Sequence, residues 1–136
     1  MSAMGQIIDF GKNVPSSFSQ SISQPLLNAS GTVLGQFGLN VAAGGSVLLE
    51  ATFGLQNGAA ASSEVIFSFV RNAVEIFSIR SSSNTSNSLD SVSFSFMDSN
   101  LPAAYYAYGL TAWAVSANNR PVVVGPLIFS GVSMVL

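Results

Sequence analysis

From Val33 onward the chain alternates. Val33, Phe37, Leu39 and Val41 fall on one face of an extended segment, Ala43-Gly44-Gly45 turns, and Val47, Leu49, Ala51 and Phe53 fall on one face of the next. A period of two puts successive side chains on opposite sides of a strand, so two consecutive strands are predicted. Beyond the small-residue loop 56–63, residues 64–70 and 73–80 form a predicted hairpin that turns at Arg71-Asn72 and pairs Phe69 with Val74 and Phe67 with Ile76. The serine-rich run 81–88 is too polar to pack and reads as a loop, after which Val92, Phe94 and Phe96 alternate with serines in a strand with one wet face.

The last two predicted strands lack a polar side. Residues 103–116 carry Tyr106, Tyr108 and Leu110 on one face and Tyr105, Trp113 and Val115 on the other, and residues 127–136 set Ile128, Val132 and Met134 against Leu127, Phe129 and Val135. One face of an antiparallel sandwich fills the core while the other meets solvent, so a strand apolar on both faces marks a subunit interface. That reasoning selects Tyr105, Tyr106, Tyr108, Trp113, Phe129, Val132 and Met134. A curled barrel that buries both faces within one chain is the competing explanation.

Seven or eight short strands, regular turn signals and no helical segment predict an all-β fold, an antiparallel jelly-roll sandwich of about eight strands over residues 32–136. Residues 1–31 read differently. Serine and glutamine dominate there, Pro15 and Pro25 interrupt, and Ile7, Ile8, Phe10, Val14 and Phe18 stand as spaced apolar residues with neither the helical nor the strand period. A disordered tail is poorer in such residues, so the segment reads as an extended N-terminal arm whose five apolar side chains dock on a neighbour. An arm that inserts into the next subunit makes a head-to-tail contact that does not close, and such contacts propagate into a filament.

Composition sharpens this picture. Of the 136 residues, 49% are hydrophobic and 7% charged, against roughly a quarter charged in an ordinary soluble protein. A surface so poor in charge is accounted for when copies of the chain cover part of it. The net charge is −2, with Lys12, Arg71, Arg80 and Arg120 as the four cations, which excludes a phosphate-neutralising patch and with it nucleic acid as a partner. No apolar run approaches the ~18 residues of a membrane span, so no membrane partner is expected. The first ten residues lack the basic start and apolar stretch of a secretory signal. The expectation is synthesis in the cytoplasm.

The chemistry of catalysis is thinly represented. There is no histidine and no cysteine, which removes Ser-His arrangements, thiolate nucleophiles and the commonest metal ligands. Six carboxylates remain: Asp9, Glu50, Glu64, Glu75, Asp90 and Asp98. Their spacing suggests no converging pair, and each reads as a surface charge near a strand end or on a polar face. No catalytic residue, cofactor or metal is expected. Gly44-Gly45 has no phosphate-loop context, and Asn28-Ala29-Ser30 and Asn84-Thr85-Ser86 match the glycosylation pattern only as three-residue patterns do. The aromatic group Tyr105, Tyr106, Tyr108 and Trp113 offers a carbohydrate-stacking platform as an alternative to simple packing.

Residues 33–136, with the late aromatic strand Tyr105-Tyr106-Ala107-Tyr108 and the final strand Ile128-Phe129-Ser130-Gly131-Val132, resemble the tumour necrosis factor and complement C-terminal type of jelly-roll domain found in bacterial spore-surface proteins. The resemblance implies a homotrimer built through apolar and aromatic residues, either an exosporium component or an endospore appendage subunit. In such appendages short N-terminal connectors link one subunit to the next. The implied partners are further copies of the chain, stacked head to tail, and another spore-surface protein. The chain departs from the collagen-like members in having no Gly-X-Y repeat. A trimeric carbohydrate- or receptor-binding module and a viral capsid or fibre jelly roll share most of these features.

Overall fold

The computed structural model of the chain describes residues 5–18, 22, 24–26, 31–58, 63–83, 88–115 and 120–136. Among them lie nine strands: β1 (Gln6–Ser16), β2 (Gln24–Pro25), β3 (Thr32–Val41), β4 (Gly45–Gln56), β5 (Ser63–Arg71), β6 (Val74–Ser83), β7 (Leu89–Leu101), β8 (Ala104–Ala114) and β9 (Val122–Val135). No helix among the described residues is long and apolar enough to cross a membrane.

The first sheet runs β1-β9-β4-β7, with the two-residue β2 pairing the start of β9, and the second runs β3-β8-β5-β6. All pairings are antiparallel. Consecutive strands β3 and β4 leave their shared turn into opposite sheets, and β9 crosses between β1 and β4. This is the Greek-key connectivity of a jelly-roll sandwich.

The core follows from alternation in the two sheets. Val47, Leu49, Phe53 and Leu55 of β4 face Val65, Phe67 and Phe69 of β5, and all are buried. Phe53 meets Phe67 with ring centroids 4.1 Å apart, and Phe69 stacks on Phe129 of β9 at 5.5 Å. Each such side chain contributes roughly 1.5–3 kcal/mol by leaving water. Opposite the β1 side, Phe77 of β6 stacks on Phe96 of β7 at 4.7 Å over the open edge of the sandwich.

Three local features depart from the sequence reading. A bulge between Val33 and Gly35 turns Leu34 into the core and leaves Val33 exposed, which breaks the predicted alternation at the start of β3. The β5–β6 hairpin turns at Asn72-Ala73, both with positive φ (49° and 67°), the geometry of a type I′ turn. Its register pairs Arg71 with Val74, Phe69 with Phe77 and Phe67 with Ile79. β6 also extends to Ser83, so only residues 84–87 of the predicted serine-rich loop fall outside the described structure, together with the patterns at Asn28 and Asn84.

Asp98 departs as well. It is buried, and its carboxylate accepts two hydrogen bonds from the Arg71 guanidinium at 2.6 and 2.7 Å and one from the Tyr108 hydroxyl at 2.9 Å. Arg71 also lies over the Tyr106 ring, 5.8 Å from its centroid. The cluster ties β5 and β8 of the second sheet to β7 of the first, so this carboxylate is an inter-sheet clamp where a solubilising surface charge was expected. Hydrogen bonding to Asp98 raises the Arg71 pKa, with partial burial opposing. Burial and then the bond to Asp98 push the Tyr108 hydroxyl well above the usual tyrosine range.

Candidate assembly surface

The segment predicted as a separate arm is, over Gln6–Ser16, the edge strand β1 of the chain's own first sheet. Its period-two signal is hidden because the strand is inverted and bulged. The side chains turned toward β3 are Asp9, Gly11 and Asn13. Asp9 accepts the Asn40 backbone N–H at 2.8 Å and Asn13 accepts that of Gln36 at 3.3 Å. A methyl on Gly11 would stand 2.8 Å from the Phe37 ring, so that position admits no side chain without displacing Phe37. Polar groups and a glycine thus close this edge of the sandwich, and the apolar residues face out. The two backbone bonds from Asn40 and Phe10 hold the Asp9 carboxyl below the usual aspartate pKa.

Outward on β1 are Phe10, 57% exposed, and Ile7, 71% exposed, with Val14 further along the strand and Ile8 at a register shift. Phe18, beyond the strand, is exposed too. The register places Phe10 beside Val132, Val132 beside Leu48, and Leu48 beside Met97. Each of these four lies at a position opposite in parity to buried neighbours (Gly131, Leu49) or core-packed ones (Phe96), so all four project from the same outer face. An apolar row therefore crosses all four main strands, about 14 Å at the usual inter-strand spacing. Ile7 and Met134 lie side by side next to it. On the other side, Lys12 and Glu50 flank Ser130. Together the outward apolar groups, Ile7, Phe10 and Met97 among them, expose on the order of 500 Å², the upper part of the range of the largest apolar patch on a monomer, which is often functional.

The structure divides the predicted interface residues. Val132 and Met134 do lie on this face, half-buried, against the predicted arm residues Phe10 and Ile7. Tyr106, Tyr108 and Phe129 do not: they point into the chain's own core, with Tyr108 1% and Phe129 0% exposed. The two tyrosines satisfy their hydroxyls internally, Tyr108 on Asp98 and Tyr106 on the Pro102 carbonyl at 2.8 Å, which is why rings with a polar end are tolerated there. Tyr105 and Trp113 lie on the outer face of the second sheet, the first exposed and the second half-buried. The predicted aromatic group is thereby split between core and surface.

Leu48 and Met97 were not singled out by sequence reasoning. The signal for Leu48 was present in Val47-Leu48-Leu49, where alternation gives way to a strand apolar on both sides. The carboxylates bear on other tasks: Glu64 pairs with Arg80 across the β5–β6 hairpin, and Asp90 accepts from Asn57 at 2.6 Å. No group of three potential metal ligands forms among the described residues.

No protein-family model matches the chain, and no curated protein does. Among solved structures it is similar to the "Structure of infectious bursal disease virus Gx strain", at 10% identity and a TM-score of 0.36, over 98% of this chain. The chain spans 40% of that viral chain, and the likeness assigns it no function.

Proposed function

We propose that the chain is a structural subunit that associates with copies of itself through the outer face of the β1-β9-β4-β7 sheet. One observation carries this reading: β1 is an edge strand turned inside out, spending its polar side chains on its own sandwich and presenting Ile7, Phe10 and Val14 outward beside Val132, Leu48 and Met97. A stable homo-oligomer buries about 800 Å² per partner, roughly 65% of it apolar. A patch of the size found here supplies about that apolar share.

The homotrimer and the spore-surface setting implied by the sequence resemblance are part of the proposal; three sandwiches packed by this sheet would leave the second sheet outward. Stacking such oligomers into a fibre through the N-terminal segment would require β1 to leave its own β9 for that of a neighbour. Sedimentation velocity tests the proposal. The full chain is expected as a discrete oligomer at micromolar concentration, and Leu48→Lys as a monomer with an unchanged circular dichroism spectrum. Ser78→Lys, on the second sheet, should keep the oligomer. A monomeric parent chain, or a Leu48→Lys variant of undiminished mass, would sink it.

A further inference from the structure

On the outer face of the second sheet three small residues fall together: Gly38 of β3 pairs with Ala107 of β8, and Gly109 of β8 lies between Gln36 and Val70. They floor an open depression of about 660 Å³, within the usual range of ligand sites. Tyr105 forms one wall, its ring lying on Gly38 so closely that a methyl there would overlap the ring. Tyr105 is 65% exposed, and the hydroxyl end of its ring lies over Gly38 while much of the side chain meets solvent. Val70 leans over Gly109 on another side, and Gln36 and Asn72 stand at the rim. Asn72 accepts the Ala107 backbone N–H at 2.9 Å, which fixes its carboxamide and leaves the amino group as the donor to a ligand.

We propose that this depression binds a neutral oligosaccharide, one pyranose stacking on Tyr105 and its hydroxyl or acetamido groups meeting the Gln36 and Asn72 carboxamides. The charge character of the site selects the ligand: among the described residues its lining includes no ionised side chain, so an anionic or cationic ligand would lose its hydration without a partner. Ala107 and Gly109 lie on β8, which is paired on both sides, and along the edge strand β3 the Gln36 and Asn40 N–H groups are taken by Asn13 and Asp9, which disfavours strand addition by an extended peptide. A flat aromatic face held against a small-residue floor, with planar amides at the edge, suits a ring that is apolar on its faces and polar around its rim.

Isothermal titration of the full chain with chitotriose and with cellotriose tests this. Saturable binding to at least one is expected, weakened roughly tenfold or more by Tyr105→Ala, the loss of a packed aromatic contact. Gly38→Ala should weaken it comparably by lifting the ring while leaving every polar group in place. Sedimentation of Tyr105→Ala separates this site from the assembly surface: the oligomer should persist. No saturable binding of either sugar at millimolar concentration, binding that survives Tyr105→Ala, or dissociation of the oligomer by that substitution would overturn the inference, the last by making Tyr105 a subunit contact.

Discussion

Replacing Asp98 by alanine removes one carboxylate and strands two partners. The Tyr108 hydroxyl is left inside the protein without an acceptor, at a cost of about 1–3 kcal/mol. The Arg71 side chain is 30% exposed, so losing the carboxylate that accepts from its Nη1 is discounted for solvent to about 1 kcal/mol. Together the change should cost about 2–4 kcal/mol. For a chain of this size that lowers the melting temperature by roughly 6–15 °C. Tyr108→Phe alone should cost about 1 kcal/mol, and in the double variant the two penalties should fall short of additive, since the hydroxyl that Asp98→Ala strands is already gone. Urea unfolding followed by circular dichroism reads all three, in the Leu48→Lys background so that association does not enter the midpoint. An Asp98→Ala variant within 0.5 kcal/mol of its parent, a threshold set by ordinary surface substitutions, would refute the view that this carboxylate clamps the sheets together.

Phe129→Ala, which empties a fully buried position between Phe37 and Phe69, should cost about 3–5 kcal/mol in the same assay. A mild effect would place that ring at a subunit contact, where the sequence pattern alone puts it. Ala73→Gly relieves a left-handed residue at an exposed turn and should stabilise by about 0.5–1 kcal/mol, after the added freedom of the unfolded chain is subtracted. The folded pKa of Asp9 lies below its ordinary 3.8, chiefly through the Asn40 backbone bond. The unfolded chain therefore binds more protons in that window, and the Asp9 contribution is whole above 3.8 and lost as pH falls through the folded value. Amide exchange at Asn40 should accelerate in acid in the parent chain and be less pH-dependent in Asp9→Asn, beyond the intrinsic exchange rate.

The sandwich was legible because β4, β7, β8 and β9 obey the period of two where one face is core. The inward set Val47, Leu49, Ala51 and Phe53 and the serine-alternating Val92, Phe94 and Phe96 appear in the sequence as they stand in space. What failed was local or inverted. Bulges at Val33 and along β1 shift parity by one residue, and nothing in composition marks where a bulge falls. β1 was unreadable as a strand because its core-facing positions are Asp9, Gly11 and Asn13, suited to bridging backbone N–H groups of β3. The aromatic strand misled for a related reason. A tyrosine inside a sheet counts as core or surface according to where its hydroxyl finds an acceptor, and the acceptors, Asp98 and the Pro102 carbonyl, lie outside its own strand.

Since the chain has no native cysteine, single introduced thiols can report directly on whether copies of the chain cover the outer face of the first sheet. Ser130→Cys lies among Lys12, Glu50 and the apolar row, and Ser78→Cys lies on the second sheet. Reaction with a bulky maleimide should be slow at position 130 and fast at position 78 in concentrated protein, with position 130 accelerating on dilution as the oligomer dissociates. Equal and concentration-independent rates at the two positions, in protein of native circular dichroism, would mean that no copy of the chain covers this face.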